Sequence, residues 1–536
     1  MSDFEKVVDI RNRLRRSWQP FFSRFGRLTP VQIAAIPVIL SGKNVLVCAP
    51  TATGKTEAIV GPISELILEN SSEGLACVYV SPTRALVNDL AERLLEPLRE
   101  VDLRLGLWTG DHHSFSPKLP EEFLLTTPES LDSVVSRFPQ CFKTSRFVVF
   151  DELHLVDGTC RGDQLIVLAK RLEALSGSLK FYGLSATIKK PEEVAGRYLG
   201  KATCIKVLGG REIQETIIDG GSIESGLSEV IKDFRKENIT KALFFCNSRA
   251  EAEDICLKLQ AHFEEDRVFV HHGSLPRERR EATEKAFKEK RFCFCVATMT
   301  LEVGIDIGDI DAVVLIGAPP SVSSLLQRIG RGSRRKAQMV VIGVSKSTEE
   351  RKIFEKLFEQ ARKGDLEDII RSPCFSVGVQ QILSMTFQNR NKGLHVKDLS
   401  GVLSVLDIHE DDTMFLVSHL ESEEYLTISR ELVFPSQKTL DLADKGLIHS
   451  NIGNAKGCEV INALTGEKLG EIGTLDTHLD SLILGGRLWK VSKIRRSDIL
   501  VVPTKGSGGI VRFVRRGKQG AFYNLLPRSL REKTSC

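Results

Sequence analysis

Two short motifs carry the residues of this chain that could do chemistry. The first, residues 49–56, reads Ala-Pro-Thr-Ala-Thr-Gly-Lys-Thr; it follows an apolar, strand-like stretch and precedes a helix-forming segment. In that context backbone N–H groups and a helix N-terminus surround phosphates, as in a phosphate-binding loop. We expect Lys55 to contact the β- and γ-phosphates and Thr56 to bind Mg²⁺. Thr53 and Gly54 complete the predicted nucleotide-binding loop.

The second motif, residues 147–154, reads Phe-Val-Val-Phe-Asp-Glu-Leu-His. An apolar strand that ends in two carboxylates can offer one to a metal ion and the other to a water molecule. Asp151 is therefore the predicted Mg²⁺ ligand and Glu152 the predicted water-orienting base. Each motif alone has a plain alternative, an ordinary turn into a helix or a solvated helix start. Their order, at a separation that fits one α/β domain, favours the hydrolysis of a nucleoside triphosphate such as ATP.

The first loop departs from the usual pattern at two positions. Gly is expected at its start, where this chain has Ala49, and Ala52 lies inside the loop. An Ala narrows the allowed backbone angles without forbidding the phosphate-binding conformation. We therefore predict a working loop.

Composition bounds the class of protein. The chain has 536 residues, 42% of them hydrophobic and 27% charged, which is typical of a soluble protein of several domains. No run approaches the ~18 apolar residues of a membrane span. Its 12 cysteines are scattered, and the close pair Cys293 and Cys295 alternates with Phe as in a buried strand. We expect reduced structural thiols in a cytoplasmic protein with no membrane contact.

The net charge of +4 is unevenly distributed, because the stretch from Arg487 to the end carries 13 lysines and arginines against 2 acids. Such a basic block suggests a polyanionic partner. Aromatic residues lie between the basic ones, and bases stack on rings, so nucleic acid is favoured. Trp489 is the predicted stacking residue. The alternative for the basic block is a solvated, solubilising tail. The alternative for Trp489 is a tryptophan packed in the core of the domain.

Apolar runs alternate with helical stretches from about residue 27 to 205, and again after Gly209 without a second phosphate loop. This alternation predicts an α/β fold of two parallel-sheet, RecA-like lobes, with a nucleotide clamped between them. Three amphipathic helices and a strand pair then follow, in winged-helix order. The alternative for that segment is a generic three-helix domain. The predicted domains are lobe 1 over 1–205, lobe 2 over 206–365, a winged helix over 366–440 and a β-rich basic domain over 441–536.

Polar turns follow several predicted strands. In a parallel sheet such turns lie beyond the carboxyl ends of the strands, where ligands bind. Hydroxyls, an arginine and free backbone N–H groups suit phosphodiester oxygens. The predicted nucleic-acid contacts are Thr83, Arg84, Gly110, Asp111 and Thr127 in lobe 1, and Ser248, Arg249 and Thr298 in lobe 2. Gly304 and Asp306 are predicted to contact the nucleotide.

Residues 327–335 read Gln-Arg-Ile-Gly-Arg-Gly-Ser-Arg-Arg. These arginines could form a solvated surface. In the lobe that lacks a phosphate loop they are better interpreted as arginine fingers, which complete a phosphoryl-transfer site. Arg331 and Arg334 are the predicted fingers.

In this order, the segments between residues 25 and 345 resemble the superfamily-two helicases, and the details resemble the Lhr (large helicase-related) type. The similar strings are Thr-Thr-Pro-Glu-Ser, Asp-Glu-Leu-His, Arg-Leu-Glu-Ala-Leu from 171, Gly-Leu-Ser-Ala-Thr, His-His-Gly-Ser-Leu, Leu-Glu-Val-Gly-Ile-Asp-Ile-Gly and Gln-Arg-Ile-Gly-Arg. Ile-His-Ser-Asn-Ile from 448 and Leu-Gly-Gly-Arg-Leu-Trp-Lys-Val from 484 are similar to that family's C-terminal region. The chain departs from the family at Ser333-Arg334-Arg335, where Gly-His-Arg is usual, and we expect no counterpart of the long C-terminal extension of the largest members.

The resemblance implies a monomeric, ATP- and Mg²⁺-dependent motor that loads on a single-stranded DNA tail and moves 3′ to 5′, with a role in DNA repair or recombination. It also implies that Gln32 recognises adenine. An RNA or RNA:DNA-hybrid helicase is a rival of the same class, since backbone-tracking motors read little of the base. A winged-helix nucleic-acid binder whose lobes act as a non-enzymatic ATP switch is a rival of another class.

Overall fold

The structure is a computed structural model of the chain. It describes residues 3–50, 53–70, 73–207, 212–302, 307–332, 338–367, 373–453, 457–473, 480–495, 498–504 and 520–533. The chain forms two compact units, each assembled from segments that are distant in sequence. The first unit comprises residues 1–208, 368–454 and 517–536, and the second comprises residues 209–367 and 455–516. The division into four contiguous domains stays a prediction.

Lobe 1, in the first unit, is a seven-stranded parallel sheet with the strand order β3-β4-β2-β5-β6-β1-β7. Its helices are α1 Asp3–Arg13, α2 Trp18–Phe22, α3 Pro30–Leu40, α4 Lys55–Glu69, α5 Arg84–Arg99, α6 Pro128–Arg137, α7 Cys160–Ser176 and α8 Pro191–Leu199; its strands are β1 Asn44–Cys48, β2 Cys77–Val80, β3 Leu105–Trp108, β4 Phe123–Thr126, β5 Phe147–Phe150, β6 Lys180–Ser185 and β7 Ala202–Lys206. Every residue of β2, β4 and β5 is buried, as expected of a sheet covered on both faces. The predicted strands are confirmed, and the half-exposed edge strand β7 is an addition.

Lobe 2, in the second unit, is a six-stranded parallel sheet with the order β10-β11-β9-β12-β13-β8. Its strands are β8 Glu212–Asp219, β9 Lys241–Cys246, β10 Val268–His271, β11 Cys293–Ala297, β12 Ala312–Ile316 and β13 Gln338–Ser345; its helices are α9 Ile223–Glu237, α10 Arg249–Gln260, α11 Arg277–Glu289, α12 Val322–Ile329 and α13 Thr348–Lys363. Both Cys293 and Cys295 are buried in β11, as their alternation with Phe predicts. The two RecA-like lobes are therefore confirmed.

The segment after lobe 2 packs in the first unit. It consists of α14 Phe375–Gln388, β14 Leu394–His395, α15 Val396–Leu403, α16 Glu410–Ser422, β15 Leu426–Ser429, β16 Leu432–Pro435 and α17 Gln437–Asp444. The strands form an antiparallel sheet with the order β14-β16-β15. The predicted order of three helices and a strand pair is present, and the assignment to the winged-helix type stays a prediction. Buried residues of α14, among them Ile382 and Leu383, share one hydrophobic core with lobe 1.

The last segment is rich in β-strands, as predicted. Its strands are β17 Cys458–Asn462, β18 Lys468–Ile472, β19 Ser481–Ile483, β20 Leu488–Ile494 and β21 Asp498–Pro503, followed by α18 Arg528–Arg531. The strands form one five-stranded sheet with the order β18-β17-β21-β20-β19. Leu469, Trp489 and Val501 of this sheet share a hydrophobic core with Val268 and Phe294 of lobe 2. Among the residues that the structure describes, no helix is both long and apolar enough to cross a membrane.

Candidate nucleotide and nucleic-acid sites

The carboxyl edge of the lobe 1 sheet carries the candidate residues in two neighbouring groups. The strands β5, β6 and β1 lie side by side and lead into the two carboxylates, Ser185 and the phosphate-binding loop. The strands β3, β4 and β2 also lie side by side, and they lead into Gly110, Thr127 and Thr83. Parallel sheets bind ligands at this edge. The sheet order therefore places the predicted nucleotide residues on one half of the edge and the predicted strand-binding residues on the other.

The end of the phosphate-binding loop is held by α3. Gly54 has the left-handed backbone angles φ 78° and ψ 29°, and a Cβ built on it would lie 2.5 Å from Nε2 of Gln32. The Gln32 amide accepts a hydrogen bond from the Thr29 backbone N–H and donates one to the Gly54 carbonyl. The Thr29 hydroxyl donates to the Thr53 carbonyl. Gln32 thus binds the loop itself, and its recognition of adenine stays a prediction.

Lys55 opens α4 and is buried. Its Nζ atom donates hydrogen bonds to the carbonyls of Ala49 at 2.8 Å and Ser185 at 3.0 Å. These carbonyls terminate the adjacent strands β1 and β6. They hold the ammonium group at the carboxyl edge of the sheet, where the sequence motif predicts that it meets phosphates.

The two acidic residues of the second motif follow β5 and are at least nine-tenths buried. Burial, together with the neighbouring Glu152 carboxylate, raises the pKa of Asp151 to about 7, although Lys55 acts to lower it. Glu152 has the left-handed angles φ 45° and ψ 46°, which are uncommon for a residue with a side chain. Such strain costs of order 1–3 kcal/mol and is concentrated at functional sites. The left-handed backbone at Glu152 thus sets the direction in which the predicted base leaves the end of β5.

His154 connects this motif with the end of β6. Its Nδ1 atom accepts a hydrogen bond from the Ala186 backbone N–H at 3.1 Å, so the imidazole carries its proton on Nε2. The Ser185 hydroxyl lies 3.2 Å from the same Nδ1 atom. The second motif and the Ser-Ala-Thr segment are therefore joined directly by hydrogen bonds.

The residues around this edge fit ATP and Mg²⁺. Mg²⁺ prefers oxygen ligands and is commonly held by one or two carboxylates together with phosphates. The Asp151 carboxylate and the Thr56 hydroxyl supply oxygens, and the left-handed Gly54 with the buried Lys55 supplies the phosphate-binding end of a helix. When bound, Mg²⁺ would neutralise charge on the phosphates, and Asp151 and Thr56 are the residues that would hold it.

The predicted nucleic-acid residues of lobe 1 are partly used for local structure. Thr83 and Thr127 cap α5 and α6, accepting the backbone N–H groups of Leu86 and Ser130. Arg84 is exposed and donates to Asp111 at 2.6 Å. A Cβ on Gly110 would lie 2.5 Å from Nη2 of Arg84, so glycine leaves room for the exposed Arg84 side chain over this turn. Arg84, Gly110 and Asp111 are thus brought together, while the threonine oxygens already accept helix N–H groups.

Lobe 2 repeats the arrangement at the ends of its adjacent strands β9 and β11. Ser248 caps α10, and Arg249 donates to the Ser274 hydroxyl at 2.8 Å. Thr298 follows β11 and is buried. Gly304 and Asp306, the predicted nucleotide contacts of this lobe, lie outside the described residues.

One of the two predicted arginine fingers can be placed. Arg331 follows α12 and is 6% exposed, and its backbone N–H donates to the Arg328 carbonyl. Arg328 instead forms a buried ion pair with Glu302 at 2.7 Å, which assigns it to the interior of lobe 2. Arg334 lies outside the described residues.

Trp489 requires a correction. Its ring is 3% exposed and packs in the core that the C-terminal sheet shares with lobe 2. Its indole N–H donates to the Leu484 carbonyl at 2.9 Å. A ring buried and hydrogen-bonded in this way cannot stack on a base, so the packing alternative is the one that the structure supports.

Sequence reasoning missed a buried carboxylate that fixes the C-terminal sheet to lobe 2. Glu253 of α10 accepts the backbone N–H groups of Gly485 and Gly486, each at 2.7 Å. It also accepts Nε2–H of His272 at 2.8 Å, since Nδ1 of that ring accepts the Ser274 N–H. The string His-His-Gly-Ser-Leu from 271 and the string Leu-Gly-Gly-Arg-Leu-Trp-Lys-Val from 484 therefore meet at one carboxylate. No spacing rule predicts a contact between residues so far apart in the chain.

A second buried carboxylate, Asp132 of α6, joins segments that are distant in sequence within the first unit. It accepts hydrogen bonds from Arg171 at 2.6 Å, His449 at 2.7 Å and Ser384 at 2.8 Å. Burial acts to raise the pKa of Asp132, but Arg171 and His449 outweigh it and hold the pKa below its ordinary value. Gln164 of α7 also donates to the His449 carbonyl. The strings at 171 and 448 are thus explained by one network.

Comparison with known proteins agrees with this architecture. Residues 29–194 match the DEAD/DEAH box helicase family, and residues 224–336 match the helicase conserved C-terminal domain. The ATP-dependent helicase Lhr-Core of Methanothermobacter thermautotrophicus is 30% identical over 91% of this chain and 63% of its own length. This chain spans less than two thirds of the length of such curated relatives.

Two solved structures share the fold. The Mycobacterium smegmatis helicase Lhr, bound to single-stranded DNA and AMP-PNP, aligns over 83% of this chain and 63% of its own, with a TM-score of 0.69 and 26% identity. The helicase MrfA bound to DNA aligns over 92% of this chain and 73% of its own, with a TM-score of 0.75 and 21% identity. The chain therefore carries both helicase domains and is a homologue of the Lhr-type ATP-dependent helicases, which confirms the resemblance in its motifs.

Proposed function

We propose that the chain is a nucleic-acid-dependent ATPase that works as a 3′-to-5′ DNA helicase or translocase. Its proposed substrates are DNA with a single-stranded tail and RNA:DNA duplexes, in DNA repair or recombination. The observation that carries this proposal is the division of one sheet edge into a nucleotide half and a strand-binding half. Two ligands bound on neighbouring strand ends of one rigid sheet can influence each other, as coupling of ATP hydrolysis to movement requires.

The roles in hydrolysis follow from the chemistry of each side chain. Lys55 contacts the phosphates, Thr56 and Asp151 hold Mg²⁺, and Glu152 orients the attacking water. Arg331 and Arg334 stabilise the charge of the transition state, as arginine fingers do. Thr53, Gly54, Gln32, Gly304 and Asp306 are the remaining proposed nucleotide contacts.

The proposed nucleic-acid contacts are polar groups and helix N-termini at the strand ends. Helix N-termini with free backbone N–H groups and basic side chains such as Arg84 suit phosphate oxygens. Single-stranded DNA is the proposed ligand because the M. smegmatis relative was solved with it. The proposed contacts are Thr83, Arg84, Gly110, Asp111, Thr127, Ser248, Arg249 and Thr298.

The direct test compares ATP turnover with single-stranded DNA, with RNA of the same sequence and without nucleic acid. We expect DNA to stimulate turnover most, and duplexes with a 3′ tail to be unwound in preference to those with a 5′ tail. Stronger stimulation by RNA would support an RNA helicase instead. ATP binding with no turnover under any condition would support the non-enzymatic ATP switch.

Lys55→Ala tests the nucleotide site itself. It should abolish turnover, because the phosphates lose their closest cation, and should leave single-strand binding intact. Lys43→Ala is the matched control, because Lys43 is an exposed lysine directly before β1, the strand that leads into the phosphate-binding loop. Turnover by Lys55→Ala at the rate of the control would refute the assignment of this loop.

A further inference from the structure

Tyr79 carries a buried hydroxyl that packing alone does not explain. It lies in the otherwise small and aliphatic strand β2, Cys-Val-Tyr-Val, and is fully buried. Its hydroxyl has no hydrogen-bond partner among the residues that the structure describes. Burying a hydroxyl without a partner costs free energy that a phenylalanine would avoid. Such a group in a native protein calls for a specific reason.

The surroundings of this hydroxyl suggest the reason. Tyr79 pairs in register with Val149 of β5, two residues before Asp151, and its ring packs in the same core as Ala58 and Ile59 of α4. Thr56 lies in the first turn of that helix. Burial raises the pKa of Tyr79 well above its ordinary value, the Asp151 carboxylate raises it further, and Thr56 acts to lower it. The strand register, the shared core and these electrostatic effects together place the hydroxyl near both proposed Mg²⁺ ligands, while within the described residues no contact of the hydroxyl meets the distance and angle limits of a hydrogen bond.

We propose that Tyr79 is a positioning residue for the Mg²⁺–nucleotide complex. Its O–H donates to the Asp151 carboxylate when that carboxylate holds the metal ion, and fixes the orientation of the carboxylate. This inference rests on the proposed function, because it requires Mg²⁺ at Asp151. The Tyr79 hydroxyl thus has no partner within the described residues, and it gains the charged Asp151 carboxylate as its acceptor when Mg²⁺ and nucleotide bind.

Tyr182 provides a matched control in the same sheet. It lies in β6 and is fully buried in the same core, and its hydroxyl likewise has no hydrogen-bond partner within the described part of the chain. Its ring stacks on Phe147, with the ring centroids 6.3 Å apart, and the titratable group that acts on its hydroxyl is the Cys77 thiol instead of a carboxylate. Tyr182→Phe therefore removes an equivalent hydroxyl away from the proposed metal site.

The experiment measures melting temperature as Mg²⁺ is titrated at a fixed, saturating concentration of AMP-PNP. Without ligand, Tyr79→Phe and Tyr182→Phe should both melt at or above the wild-type temperature, because each removes an unsatisfied buried hydroxyl. With ligand, Tyr79→Phe should need about tenfold more Mg²⁺ for half of the stabilisation, the loss expected for one hydrogen bond to a charged group. Tyr182→Phe should follow the wild type.

Each alternative result contradicts a defined statement. Identical Mg²⁺ titrations for the two variants would overturn the role of Tyr79 and leave the proposed function standing. A wild-type protein that Mg²⁺ and AMP-PNP do not stabilise would overturn the proposed function and the role of Tyr79 together. A ligand-free Tyr79→Phe that melts well below Tyr182→Phe would show that the hydroxyl already has a structural partner, and would also overturn the inference.

Discussion

Replacement of Trp489 separates packing from base stacking. The ring is 3% exposed, so Trp489→Ala should cost about 3–5 kcal/mol, the loss expected for a large buried aromatic side chain. It also removes the indole donor of the Leu484 carbonyl, which adds about 1 kcal/mol. The sum is a large fraction of the ~5–15 kcal/mol that stabilises a typical domain. Trp489→Phe keeps most of the buried ring and loses the N–H group, so its cost should be clearly smaller.

The assay is urea unfolding followed by far-ultraviolet circular dichroism, which does not depend on the fluorescence of the replaced residue. Phe25→Ala is the control, because that ring is 51% exposed and should change the unfolding midpoint little. DNA-stimulated ATP turnover, measured well below the unfolding transition, should stay close to that of the wild type for the fraction of protein that is folded. An unchanged unfolding curve combined with lost unwinding activity would refute the packing role and restore stacking.

Two further predictions concern Arg331 of the second unit and Asp132 of the first unit. Arg331→Ala should lower ATP turnover by roughly 10³-fold or more while nucleotide affinity stays nearly intact, as for an arginine finger; lost affinity with unchanged turnover would contradict this role. Because Arg171 and His449 hold the pKa of Asp132 below its ordinary value, the ionised carboxylate stabilises the folded state at neutral pH, and this stability is lost as pH falls through the lowered pKa. Asp132→Asn should therefore be less stable than the wild type at pH 7, and the difference in unfolding midpoint should shrink below about pH 4; a difference that does not change with pH would contradict the ionic role.

The elements that could be predicted from sequence are those with strong local patterns. Apolar runs that end in Gly-Lys-Thr or Asp-Glu identified the buried central strands, because such strands are covered on both faces. The edge strands β7 and β8 were missed. β7 is half exposed, and β8 reads Glu-Ile-Gln-Glu-Thr-Ile-Ile-Asp, so neither has the continuous apolar sequence of a central strand.

The networks around Glu253 and Asp132 could not be predicted, because their members are distant in sequence. Glu253 meets Gly485 and Gly486 across 232 and 233 positions, and Asp132 meets His449 across 317. A buried carboxylate must be paired or receive several hydrogen bonds, but this requirement does not specify the donors. In the sequence, the strings at 448 and 484 are distinguished only by their resemblance to a family. The structure supplies the physical reason, since each string provides donors to a carboxylate on a lobe of its own unit.

The burial of Trp489 changes which groups of the C-terminal sheet could contact nucleic acid. Successive side chains of a β-strand point to opposite faces, so the register that buries Trp489 exposes its neighbour Lys490. Lys493, farther along β20, is exposed as well. The basic character of this segment was predicted correctly, but Trp489, the residue predicted to stack on a base, lies on the buried face of the sheet. Because lysine on an exposed strand recognises phosphate charge instead of bases, any nucleic-acid contact at these positions should be independent of sequence and sensitive to salt.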